Sequence, residues 1–107
     1  MQVLAIRADA LNSRDLPRYI SVISGRYNDK GKSLALLRET LENNFRDFEQ
    51  ILYEAERPDI LVDGTRARSD ASYRMKIKVR GKEMTLNGTE HLILVKEPEG
   101  WKIIAGI

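Results

Sequence analysis

At 107 residues, 42% hydrophobic and 32% charged, the chain carries enough apolar sequence for one folded domain, 1–107, and too little length for two. It has no cysteine, which excludes disulfides, thiolate catalysis and cysteine zinc sites, and its net charge of +2 is too small to point to nucleic acid by itself. No apolar run reaches the ~18 residues of a membrane helix and no signal-peptide pattern opens the sequence, so a soluble domain with no membrane contact is expected.

In chain order, Leu4, Ala8 and Leu11 fall at steps of four and three, which predicts a short amphipathic helix over Gln2–Leu11. Ser13 or Asp15 can cap a second helix, where Pro17 is tolerated in the first turn and Leu16, Tyr19, Ile20 and Ile23 form the apolar face. Asn28-Asp29-Lys30-Gly31 reads as a turn; the ligand spacing of a calcium loop is missing. Ser33 caps a third helix whose stripe, Leu34, Leu37, Leu41, Phe45 and Phe48, is the strongest helical signal in the chain and reads as core.

After Phe48 the period changes to two. Ile51, Tyr53 and Ala55 share one parity and Ile60 and Val62 the other, so Arg57-Pro58 marks a bulge on an edge strand. Asp63-Gly64 reads as a hairpin turn. The organising stretch, Thr65–Val79, alternates small or apolar odd positions with charged or polar even ones, as a half-buried strand requires. Pairing Val62 with Thr65 sets Asp59 against Arg68 and Arg57 against Asp70, with Glu54 near Arg74 beyond the bulge. A turn at Arg80-Gly81 sets Val79 against Lys82, Met75 against Leu86, Tyr73 against Gly88 and Ala71 against Glu90. His91 then meets Asp70 on the outer face. A last turn at Glu97–Gly100 sets Leu94 against Ile103 and Leu92 against Ala105. This register turns Glu90 inward and leaves Ile93, Val95 and Ile104 outside. A bulge at Asn87-Gly88 would exchange the faces, turning His91 in and Glu90 out.

Taken together, Arg14-Asp15-Leu16 with Tyr19, Ser24-Gly25-Arg26-Tyr27, the Leu34–Phe48 helix, Val62–Ala67 and Gly100-Trp101-Lys102-Ile103 resemble the nuclear transport factor 2-like superfamily. The superfamily is also called ketosteroid isomerase-like, SnoaL-like or cystatin-like α+β. The resemblance covers almost the whole chain and is nearest to short bacterial domains without assigned activity. It implies an α+β, cone-shaped fold, with three N-terminal helices on a curved antiparallel sheet and a pocket at the open end. Catalytic members carry a hairpin between the second and third helices that delivers an acid or base. The Tyr27–Lys32 connection leaves no room for that hairpin, so the isomerase's aspartate has no matching position. The dehydratase-type histidine and aspartate pair has no match either.

The candidate ligand pocket comprises Tyr19, Tyr53, Tyr73, Met75 and Glu90. Glu90 is either a pocket acid, its charged form disfavoured by burial, or a carboxylate held by a helix arginine such as Arg7 or Arg14; the paired reading is favoured. One histidine without cysteine is no metal site, and no cofactor is expected. The basic run Arg66, Arg68, Arg74, Lys76, Lys78, Arg80 and Lys82 is offset by Glu54, Asp59, Asp70 and Glu83 and has no interleaved aromatics, so no nucleic-acid partner is expected. The expected function is a non-catalytic domain that binds a small apolar ligand and forms a homodimer through the outer sheet face at Ile93, Val95 and Ile104. The alternative is a small enzyme using Glu90 and a tyrosine for proton transfer. The compartment is open between the cytoplasm and, for a domain excised from a longer bacterial protein, export.

Overall fold

The computed structural model describes residues 1–107. Helices α1 (Gln2–Ser13), α2 (Leu16–Ile20) and α3 (Leu34–Asp47) lie on one face of a five-stranded antiparallel sheet made of β3 (Gln50–Ala55), β4 (Asp59–Asp63), β5 (Arg66–Val79), β6 (Lys82–Glu97) and β7 (Gly100–Ala105). β1 (Asn28–Asp29) and β2 (Lys32–Ser33) form a separate two-rung hairpin between α2 and α3. β3 and β4 both pair with β5, giving the order β3/β4–β5–β6–β7. No helix is long and apolar enough to cross a membrane.

Local chemistry explains the helix limits. α1 stops where Arg14 turns left-handed at φ 54° and donates its N–H back to Leu11. Asp15 then caps α2 by accepting from the Arg18 N–H at 3.2 Å, with Pro17 in the first turn. α2 is shorter than its apolar pattern predicts. Ile23 leaves it and bridges to Ile103, where Ser24 N–H donates to the Ile103 carbonyl and Ile103 N–H to the Val22 carbonyl, each at 2.9 Å. That pairing satisfies the free edge of β7. The stripe of α1 also differs from the expected one. Val3, Arg7, Ala10 and Leu11 are buried, while Leu4 and Ala8 are only partly covered. An arginine can replace an aliphatic residue there because it finds partners in the core.

β5 and β6 pair without interruption from Arg66↔Val95 to Val79↔Lys82, including Ala71↔Glu90 and Asp70↔His91. No bulge occurs at Asn87-Gly88. Gly88 lies under the Tyr73 ring, where a Cβ would come within 3.0 Å of it. Between β3 and β4, Glu56, Arg57 and Pro58 span only Ala71 and Ser72 of β5, so the phase break is one extra residue, as the proline implied.

Two registers differ from the expected ones. Asp63 pairs with Arg66 and Val62 with Ala67, so Gly64 and Thr65 make the turn and Asp59 faces Asp70 rather than Arg68. Gly64 has φ 61° and Thr65 does not share a positive φ, which fits a two-residue loop with glycine at its first position rather than an Asp-Gly loop. On the far side, Leu94 pairs with Ile103 but Ala105 pairs with Ile93 instead of Leu92. A bulge there sets both Ile104 and Ala105 against Ile93. Gly106 (φ 103°) then crosses so close to the strand that a Cβ would lie 2.0 Å from the His91 carbonyl oxygen.

The core is a cluster in which Tyr19, Leu37, Leu92, Leu94 and Ile103 are almost fully buried between the helices and β5–β7. The β5–β6 hairpin outruns that cover. A 14-residue helix spans roughly 21 Å and a 14-residue strand roughly 46 Å, so Met84 and Leu86, on the helix-facing parity, remain exposed.

Candidate functional site

The inward face of the sheet carries one carboxylate, Glu90, and the helix layer offers it one guanidinium, Arg7. Arg7 is only 7% exposed. Its Nη1 donates to Oε1 of Glu90 at 3.3 Å and its Nη2 lies 3.1 Å from Oε2 as an ion pair, a two-pronged contact that fixes both side chains. Nε donates to the Tyr19 hydroxyl at 2.9 Å, Nη1 also reaches the Tyr53 hydroxyl at 3.3 Å, and the Tyr53 hydroxyl donates to Glu90. The guanidinium also lies over the Tyr19 and Tyr53 rings, with centroid distances of 5.7 and 5.4 Å.

This network sets the protonation chemistry. Burial works against the Arg7 charge, yet Tyr19 and Glu90 outweigh it and hold its pKa above the ordinary arginine value. Burial, reinforced by the hydrogen bond to Glu90, pushes Tyr53 up to about 12. Burial also raises Tyr19, against the opposing pull of Arg7. Both phenols are therefore neutral throughout the ordinary pH range, Tyr53 donating to Glu90 and Tyr19 accepting from Arg7. Asn12 secures the arrangement from behind: its amide donates to the Tyr53 carbonyl at 3.2 Å and accepts from the Tyr53 N–H at 2.6 Å. It thereby takes up backbone groups that edge strand β3 would otherwise leave free.

Tyr19, Tyr53, Tyr73, Met75 and Glu90 all line one cleft of about 590 Å³. Tyr73 stacks on Tyr53 with ring centroids 6.1 Å apart and an interplanar angle of 27°. Leu11, Leu41 and Ile107 add apolar wall, while Asn44, Thr89 and Asp29 add polar groups. Asp29 corrects one expectation. The Tyr27–Lys32 connection does hold a hairpin, because Lys30 (φ 54°) and Gly31 (φ 84°) close it in two residues, and it carries Asp29 to the cleft.

On the outer face, His91 Nδ1 and Asp70 Oδ1 are 2.6 Å apart, and Arg68 Nε donates to the other Asp70 oxygen at 3.0 Å. The His91 hydrogen bond, then Arg68, holds the Asp70 carboxyl below its usual range. Ile93 and Ile104 are half-buried, whereas Val95 is only 7% exposed within the single chain. Arg66 and Lys102 are its register partners on the neighbouring strands. Sequence reasoning missed the placement of Asp29 and Asn12. The signal for Asp29 was the Asn-Asp-Lys-Gly string, a two-residue turn with a β rung on either side.

Helices gathered on one face of a five-stranded antiparallel sheet, with a cleft between the layers, define an α+β domain. A nuclear transport factor 2-like superfamily protein from Salmonella enterica is similar to it at 15% identity and TM-score 0.86, over 98% of this chain and 83% of that one. So is a conserved protein from Planctomyces limnophilus, at 17% identity and TM-score 0.87 over 98% and 88%. A protein of the NTF2-like family from Streptomyces avermitilis, assigned provisionally as a dehydratase, is similar at 11% identity and TM-score 0.85 over 98% and 89%. No family model and no curated protein matches the sequence. The chain has the nuclear transport factor 2-like fold.

Proposed function

We propose that this is a non-catalytic domain that holds a small, mostly apolar ligand in the cone of the fold, against Tyr19, Tyr53, Tyr73, Met75 and Glu90, and that works as a homodimer. The observation that carries this reading is the two-pronged Arg7–Glu90 pair with its two tyrosines. A general acid or base must exchange its proton with a substrate. Glu90 already accepts from Arg7 and Tyr53 and is ion-paired through its second oxygen, so it serves as a fixed polar floor. The stacked tyrosines and Met75 offer a flat apolar wall, the usual composition of a small-molecule pocket. Titration with 1-naphthol, followed at the Met75 methyl by NMR, tests the reading. A saturable shift supports it, and an unmoved Met75 contradicts it.

The dimer is proposed through Ile93, Val95 and Ile104, with Arg66, Arg68 and Lys102 as its rim. The bulge supports this by gathering Ile104 and Ala105 against Ile93 in one apolar strip.

A second reading, proton transfer on an apolar substrate by Glu90 and a tyrosine, is favoured by Asp29, which brings a second carboxylate to the same cleft. Deuterium incorporation into an apolar ketone such as cyclohexanone, lost in Asp29→Asn or Glu90→Gln, would establish it.

A further inference from the structure

The Arg7–Glu90 pair has two sides. Beyond the tyrosine-lined cleft, Arg7, Tyr53 and Glu90 also form one wall of a separate cavity of about 330 Å³ between the N-terminal turns of α1 and the bulge that joins β3 to β4. Leu4, Ala5, Ala8, Ala55, Pro58 and Ala71 make it apolar, and the small side chains of the four alanines create the space. Ser69 lies at its base. The residue is only 3% exposed, its hydroxyl bonds to no protein group, and no side-chain oxygen is sealed away without a partner; that hydroxyl therefore opens into the cavity.

We infer that this cavity is a second ligand site, distinct from the tyrosine-lined cleft, for a compact neutral molecule with an aliphatic body and one hydroxyl or amide N–H. The volume is at the low end for small-molecule pockets, and amounts to roughly ten waters at ~30 Å³ each. The apolar lining selects a hydrocarbon body. The floor selects its head: Glu90 presents acceptor oxygens and Ser69 a hydroxyl that both donates and accepts, so the ligand must bring a donor. It must also be uncharged. Arg7 and Glu90 cancel each other, an added anion would face Glu90 and an added cation Arg7, and Glu56 and Arg57 at the rim are likewise one of each sign.

Three probes of one shape test this: cyclohexanol, cyclohexylammonium and cyclohexanecarboxylate, each titrated into the intact protein with methyl-labelled alanine and methionine. The expected result is saturable movement of the Ala8, Ala55 and Ala71 methyls with cyclohexanol, at least tenfold weaker with either ion. Ser69→Ala is expected to weaken cyclohexanol about fivefold with unchanged melting, and Ala8→Leu to abolish it by filling the space. Met75 lines the tyrosine cleft but not this cavity, so its methyl reports separately on the reading above. Alanine methyls that do not saturate, equal binding of the carboxylate, or shifts confined to Met75 would each overturn the second site.

Discussion

At the scale of single residues, the Arg7–Glu90 pair decides most. Glu90 was legible because the Arg80-Gly81 turn fixes a register that turns every even residue of β6 inward. Its partner was legible only as a helix arginine, Arg7 or Arg14; the weak periodicity of α1 did not choose between them, and the partners gathered from Tyr19, Tyr53 and Glu90 are what permit the burial of Arg7. Glu90→Gln leaves that guanidinium uncompensated and should cost on the order of 3 kcal/mol in denaturant unfolding. Replacing both residues, Arg7→Met with Glu90→Met, should cost less than either change alone. Tyr53 gives a pH signature. Its folded pKa of about 12 lies above the unfolded value of 10, so the neutral phenol is favoured by the fold. Its contribution is fully present below pH 10 and is lost as pH rises through 12. Tyr53→Phe should remove that part of the alkaline loss, read from melting temperatures between pH 9 and 12. Asp70 works at the other end. Its lowered pKa gives a contribution present above the ordinary aspartate range and lost as pH falls through the folded value, so Asp70→Asn should flatten the acid limb of the stability curve.

At the scale of elements, turn chemistry separates what could be read from what could not. Arg80-Gly81 takes positive φ at both positions, the conformation that a two-residue hairpin most often uses, and every rung of β5–β6 follows from it. Asp63-Gly64 looks equally strong in sequence, yet the glycine takes the first loop position and the register moves by two residues. A shift of two preserves the faces, so the core was unaffected while the charge pairing of Asp59 was not. The bulge at Ile104 had no sequence signal except Gly106, whose reason is the passing His91 carbonyl. Gly106→Ala must displace that backbone and abandon a positive φ that alanine resists. A loss of about 2 kcal/mol or more is expected in thermal or denaturant unfolding.

At the scale of the whole molecule, the three-helix layer and the meandering sheet were readable because the hydrophobic period changes from 3.6 to 2 once, after Phe48. The five residues expected to share a pocket do line one cleft, whereas the second cavity was not readable, because it arises where the first turns of α1 meet the β3–β4 bulge and no periodicity encodes that meeting. Assembly belongs to this scale too. Ile104→Asp should convert a dimer to a monomer in sedimentation at micromolar concentration with its helix content retained, and a wild-type monomer at high micromolar concentration would remove the dimer. The cleft floored by Arg7–Glu90 is proposed to hold a small apolar ligand. The most direct measurement is the Met75 methyl resonance during titration with 1-naphthol. The expected result is a saturable shift, accompanied by the Tyr53 and Tyr73 ring signals. A linear drift, or a Met75 signal that stays in place while the protein remains folded, would contradict it.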